Sequence, residues 1–108
     1  MARIHLGEFE ELILLTVGIL YQEAYAVAIA KEIEKQSGRA VIISAVHKSL
    51  YRLEDKCLLS SMLGDPEAKR GGKRKRLFTI TSYGKKVLDE SLDLRISLRN
   101  QIPAIAFK

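Results

Sequence analysis

The chain of 108 residues has one cysteine, no tryptophan, two histidines, two prolines and only 6% aromatic residues. Each scarcity excludes something. A single thiol, Cys57, forms no intramolecular disulfide and no thiolate zinc site, and it suits a reducing cytoplasm. His5 and His47 alone are a poor imidazole set for a metal, so neither metal nor cofactor is expected. No apolar run approaches the ~18–20 residues of a membrane-spanning helix. Glu8, Glu10 and Glu11 interrupt what would be the apolar region of a signal peptide, so a cytoplasmic protein is expected. With so few aromatic rings, a stacking pocket for flat aromatic ligands finds no support in the composition.

What is present is a chain long enough for one domain with one core, at an ordinary 47% apolar content. The net charge is +5, which favours polyanionic partners and says nothing about fold. The charge is concentrated. In 67-EAKRGGKRKRLFTIT-81, six of the eight positions 69–76 are cationic, broken only by Gly71 and Gly72. Such a stretch could be a solvated tract, an import signal, a phosphate loop or a hairpin tip laid on nucleic acid.

The phosphate loop fails at two positions. Its first glycine would fall on Glu67, and Arg74 stands where serine or threonine should hold a metal ion. Hydrolytic chemistry fares no better. Ser44, His47 and Asp55 are close in sequence, but a capping serine commits its hydroxyl to the backbone and no oxyanion element accompanies them. No catalytic residue is assigned and no enzyme is expected.

Hydrophobic periodicity organises the rest. Residues 6–20 read as a helix with acidic residues in its first turn and apolar residues on more than one face, suited to burial on several sides. Residues 25–38 read as a second, amphipathic helix, its stripe either Val27, Ala30 and Ile33 or Ile29 and Ile33, with Gly38 as its stop. A short β-branched piece, 40–43, is expected to be a small strand. Residues 44–57 form a third helix, with Ser44 as N-cap and Val46, Leu50, Leu53 and Cys57 on one core stripe. On that reading Cys57 is a small buried apolar residue rather than a redox sensor. The opposite face carries Ser44, His47, Lys48, Tyr51, Arg52 and Asp55.

A strand over 58–64, a loop over 65–72 and a strand over 73–81 follow, making a hairpin with a basic tip. In the second strand Arg76, Phe78 and Ile80 alternate with Leu77 and Thr79. Thr81 caps a last helix from 82 to about 101, before Pro103. Val87, Leu94, Leu98 and Ile102 make one stripe on it, Leu88 and Leu92 a second. The order is mainly α with a small antiparallel β-hairpin: a winged helix-turn-helix domain over 1–81, and a C-terminal helix and tail over 82–108 in the same structural unit.

In a winged helix the third helix enters the major groove and the wing sets cations on phosphate or in the neighbouring minor groove. That assigns double-stranded DNA as partner. The recognition helix would contribute Ser44, His47, Lys48, Tyr51 and Arg52, and the wing Lys69, Arg70, Lys73, Arg74, Lys75 and Arg76. Taken alone, Lys48 and Arg52 read more readily as a solvated helix face; taken with the wing, the DNA reading is favoured. The alternative is an interaction module whose basic wing binds an acidic protein.

Three segments resemble the PadR-like transcriptional regulators: 12-LILLTVGILYQEAYAVAIAKEI-33, 46-VHKSLYRLEDKCLLSS-61 and, most specifically, 71-GGKRKRLFTITSYGKKVL-88. This chain has His47 in place of a usual tyrosine, Cys57 in place of a usual glycine, Leu77-Phe78 in place of Tyr-Tyr, and Ala24 or Ala26 in place of a glycine beside Tyr25. The resemblance implies a homodimer built by the last helix against the partner's first helix, with Phe9, Leu12, Ile13, Val87, Leu94 and Leu98 as interface residues. It also implies repression at a palindromic operator, often relieved by a small molecule that nothing in the sequence identifies.

Overall fold

The computed structural model describes residues 5–66 and 74–107. Helix α1 (Glu8–Ile19) starts at Gly7, whose N–H donates to Glu10 Oε1 at 3.0 Å. Ile13, Leu14 and Val17 point into the core, while Leu15 and Ile19 stay exposed. Helix α2 (Ala26–Ser37) buries Ala26, Ile29, Ala30 and Ile33. Val27 is exposed, so the inward stripe is the one through Ile29 and Ile33. The helix stops at Gly38, whose φ of 74° lies in the left-handed region that glycine enters without a Cβ clash.

Helix α3 (Ile43–Asp55) buries Val46, Leu50 and Leu53 completely, as their spacing predicts. Three expectations at its ends are corrected. Residues 40–43 are not a strand: the described sheet is the two-stranded hairpin, and without a partner edge the Ile42 carbonyl instead accepts the N–H groups of Ala45 and Val46. The helix therefore begins earlier, with Ile42 as N-cap, and Ser44 is an exposed first-turn residue. Cys57 is not on the core stripe. The helix has ended by Asp55, and Cys57 stands exposed in the turn behind it at φ 66°.

Strands β1 (Leu59–Pro66) and β2 (Arg74–Ile80) pair antiparallel, with Leu59 opposite Ile80, Ser61 opposite Phe78 and Leu63 opposite Arg76. β1 runs two residues beyond the expected end, through an irregularity between Leu63 and Pro66. Phe78 is buried and Ile80 half-buried, while Thr79 is exposed. The Phe78 N–H donates to the Ala24 carbonyl at 2.9 Å, tying the hairpin to the α1–α2 junction.

Helix α4 (Ser82–Asn100) opens on Thr81 as expected. The Thr81 hydroxyl accepts from the Gly84 N–H at 2.9 Å and donates to the Cys57 carbonyl at 2.8 Å, so one side chain caps α4 and closes the turn after α3. Val87 and Leu88 are buried in the shared core. Further along, Ser91 and Arg95 donate to the two oxygens of buried Glu11, at 2.5 and 2.6 Å. The acidic first turn of α1 thus serves tertiary contacts as well as the helix dipole. From residue 93 to 107, including a 3-10 turn at Ala104–Phe107, every side chain is exposed.

Candidate nucleic-acid interface

A helix period of 3.6 residues places Ser44, His47, Lys48, Tyr51 and Arg52 along the side of α3 opposite Val46, Leu50 and Leu53. All five are exposed. The helix is anchored by its apolar stripe and presents this row away from the core.

Aromatic contacts fix the row relative to the wing. His47 stacks on Tyr51 with centroids 6.1 Å apart and planes 17° from parallel. Tyr51 meets Phe78 of β2 edge-on at 6.4 Å, and Phe78 is itself buried. A second link is polar. Arg76 Nη1 donates to Ser61 Oγ at 3.0 Å, and Ser61 donates to Glu54 Oε2 at 2.5 Å. The root of the wing is thereby joined to the outer side of α3 by a ring ladder and a hydrogen-bonded chain.

Between them lies an open cleft of about 320 Å³, lined among others by Tyr25, Val27, His47, Tyr51, Lys75 and Phe78. Lys75 Nζ sits 4.1 Å from the centroid of the Tyr25 ring, a distance suited to a cation–π contact. The fold thus gathers, from a composition poor in rings, several of them around one concavity. In the sequence the signal for it exists only as separated residues: Tyr25 opens α2, His47 and Tyr51 lie one turn apart, and Phe78 follows the basic run.

Of the α3 row, His47 and Tyr51 border the cleft together with Arg74, Lys75 and Arg76 of β2, while Ser44, Lys48 and Arg52 are exposed on the same helix without lining it. Lys69, Arg70 and Lys73 lie outside the described residues. Among the expected interface residues, Ile13 is 0% exposed and Val87 8%. Both belong to the protomer's own core and offer no surface to a second chain. Leu94 and Leu98 are 46% and 56% exposed, and Phe9 and Leu12 half-buried, with the Arg39 guanidinium 5.3 Å above the Phe9 ring.

Sequence and fold comparisons identify proteins similar to this chain. A family model described as "Transcriptional regulator PadR-like family" matches residues 13–90. A PadR-like transcription factor from Bacteroides fragilis superposes with a TM-score of 0.71 at 25% identity, over 85% of this chain and 84% of that one. A PadR family transcription regulator from Clostridium difficile gives 0.68 at 24% identity, over 87% and 93%. The Orc1 protein of Aeropyrum pernix, solved in complex with DNA, shares the fold at a TM-score of 0.65 and 14% identity, over 90% of this chain and 26% of that one. A search of curated proteins finds no match. The family match spans α3, the hairpin and the first half of α4, and the chain belongs to the PadR-like family of transcriptional regulators, DNA-binding proteins and not enzymes.

Proposed function

We propose that the chain is a homodimeric repressor that binds a palindromic double-stranded operator, with α3 reading base edges and the wing holding phosphate. The observation that carries this reading is the cleft at which His47 and Tyr51 of the exposed α3 row meet Arg74, Lys75 and Arg76 of β2. Lys48 is exposed on that row and Arg74 is exposed on β2. The Orc1 neighbour offers a solved example of this fold in complex with DNA.

The cations have different roles. Lys48 and Arg52 lie along the row and are the donors for base edges and adjoining phosphates. Arg74 reaches phosphate, together with Lys69, Arg70 and Lys73. Arg76 is partly engaged with Ser61 and positions the wing. Dimerisation rests on the overhang of α4. The inward face of its first half, through Val87, Leu88 and Ser91, continues past the domain as exposed Leu94 and Leu98, with exposed Ile102 just beyond the helix. A second copy supplies the missing cover, with the two recognition helices about 34 Å apart. Relief of repression by a small molecule and a cytoplasmic location complete the reading.

Selection of bound sequences from random duplex DNA at stated salt tests it. A palindromic motif is the expected result. Failure to enrich any duplex, with retention on an acidic protein column instead, would overturn DNA binding in favour of an acidic protein partner.

A further inference from the structure

Ile42 breaks two local rules at once. It occupies the N-cap of α3, where a serine, threonine, asparagine or aspartate would accept an orphan backbone N–H, and no side-chain cap bond is made there. Leaving that slot to an aliphatic residue forgoes roughly 1 kcal/mol of helix stability. Its side chain is also 73% exposed, among the most exposed large apolar residues of the fold, and the following Ile43 is 39% exposed. Neither loss is offset by packing, since Ile42 is absent from the core and from the residues that pack against it. Local rules broken without structural compensation mark functional positions.

The position is informative in itself. Ile42 stands at the amino end of the helix whose row carries Ser44, Lys48 and Arg52, and it is the amino-terminal part of a recognition helix that meets base edges. On the major-groove edge of DNA, the 5-methyl of thymine is the apolar feature, and aliphatic side chains recognise it by contact. An exposed, β-branched, conformationally stiff side chain is suited to that contact, because it has little rotamer freedom left to lose.

We propose that Ile42 is a specificity-determining residue that reads a thymine methyl group in each half-site, with Ile43 extending the apolar contact. This rests on the DNA-binding reading above.

The test uses the full chain and the duplex recovered by selection. Each thymine of the half-site is replaced in turn by deoxyuridine, which keeps the base pair and removes only the methyl. At one or two positions wild-type affinity should fall about three- to fivefold, the value of one buried methyl. Ile42→Ser should lose most of the discrimination between the thymine and deoxyuridine duplexes. The same variant restores a cap and should melt higher than wild type, so loss of discrimination cannot be ascribed to unfolding. A wild-type protein indifferent to every deoxyuridine, or an Ile42→Ser variant that keeps the full discrimination, overturns the proposal and leaves DNA binding standing. If no duplex is bound at all, the parent reading falls and this one with it.

Discussion

Two single residues carry much of the local geometry. A Cβ built on Gly84 would lie 2.1 Å from the Leu58 carbonyl oxygen and 3.1 Å from Ile80 Cγ2. The obstacle is backbone, which cannot swing aside as a side chain end can. Gly84→Ala should therefore destabilise by about 3 kcal/mol, at the upper end for overpacking, read as a lower denaturant midpoint. Cys57 presents the opposite case. At φ 66° an L residue is held in the left-handed region, at a cost of roughly 1–2 kcal/mol. Its side chain is exposed. Cys57→Gly should raise stability by about 0.5–1 kcal/mol after glycine's own entropy loss. The sequence does not show this directly, because the same residue continues the helical spacing of Val46, Leu50 and Leu53. Only where the helix stops decides whether that spacing still applies.

At the scale of elements, α1 and the end of α3 are joined through Glu10. Burial alone would push its carboxyl up. The Gly7 N–H, the Lys56 ammonium at 3.0 Å and the positive charge of Arg52 outweigh burial and hold it below the ordinary glutamate value. A folded-state pKa below the unfolded one means stability that is present at neutral pH and is lost as pH falls through and below the ordinary glutamate range. Glu10→Gln should lower stability at neutral pH and flatten the acid limb, measured as unfolding free energy against pH. The element pattern is legible in the sequence wherever a residue's role depends on its near neighbours. The α3 stripe, the Gly38 stop and the Thr81 cap are of this kind. The strand expected at 40–43 does not form, because a β-branched run is a strand only if an edge is available to pair with, and that is a property of the whole fold.

For the whole molecule, the proposed dimer depends on the exposed part of α4. Leu94→Asp combined with Leu98→Asp should leave the winged-helix core folded, since both residues are exposed in the protomer, and should halve the mass seen by light scattering. Binding to a palindromic duplex should then fall towards that of a single half-site. The proposed role of the wing predicts a salt dependence. In the proposed dimer, two or three phosphates neutralised by each subunit should contribute a slope of about −4 to −5 in log K against log salt. Arg74→Ala should flatten the slope by about one for each phosphate it leaves unneutralised and weaken all duplexes alike, whereas Lys48→Ala or Arg52→Ala should alter sequence preference. Unchanged affinity and slope in the Arg74 variant would remove that residue from the phosphate-binding set.

The order of helices and hairpin, the inward stripes, the cap at Thr81 and the basic character of the wing are legible in the amino-acid order alone. These follow from periodicity, capping chemistry and charge, which act between residues close in the chain. The tertiary structure alone decided that Ile13 and Val87 belong to the protomer's own core, that Glu10 and Glu11 serve as buried acceptors, and that Cys57 lies outside. It also brought Tyr25, His47, Tyr51 and Phe78 around one cleft and left Ile42 exposed. Each of those depends on which surface arrives from a distant part of the chain, and no spacing along the sequence encodes that arrival.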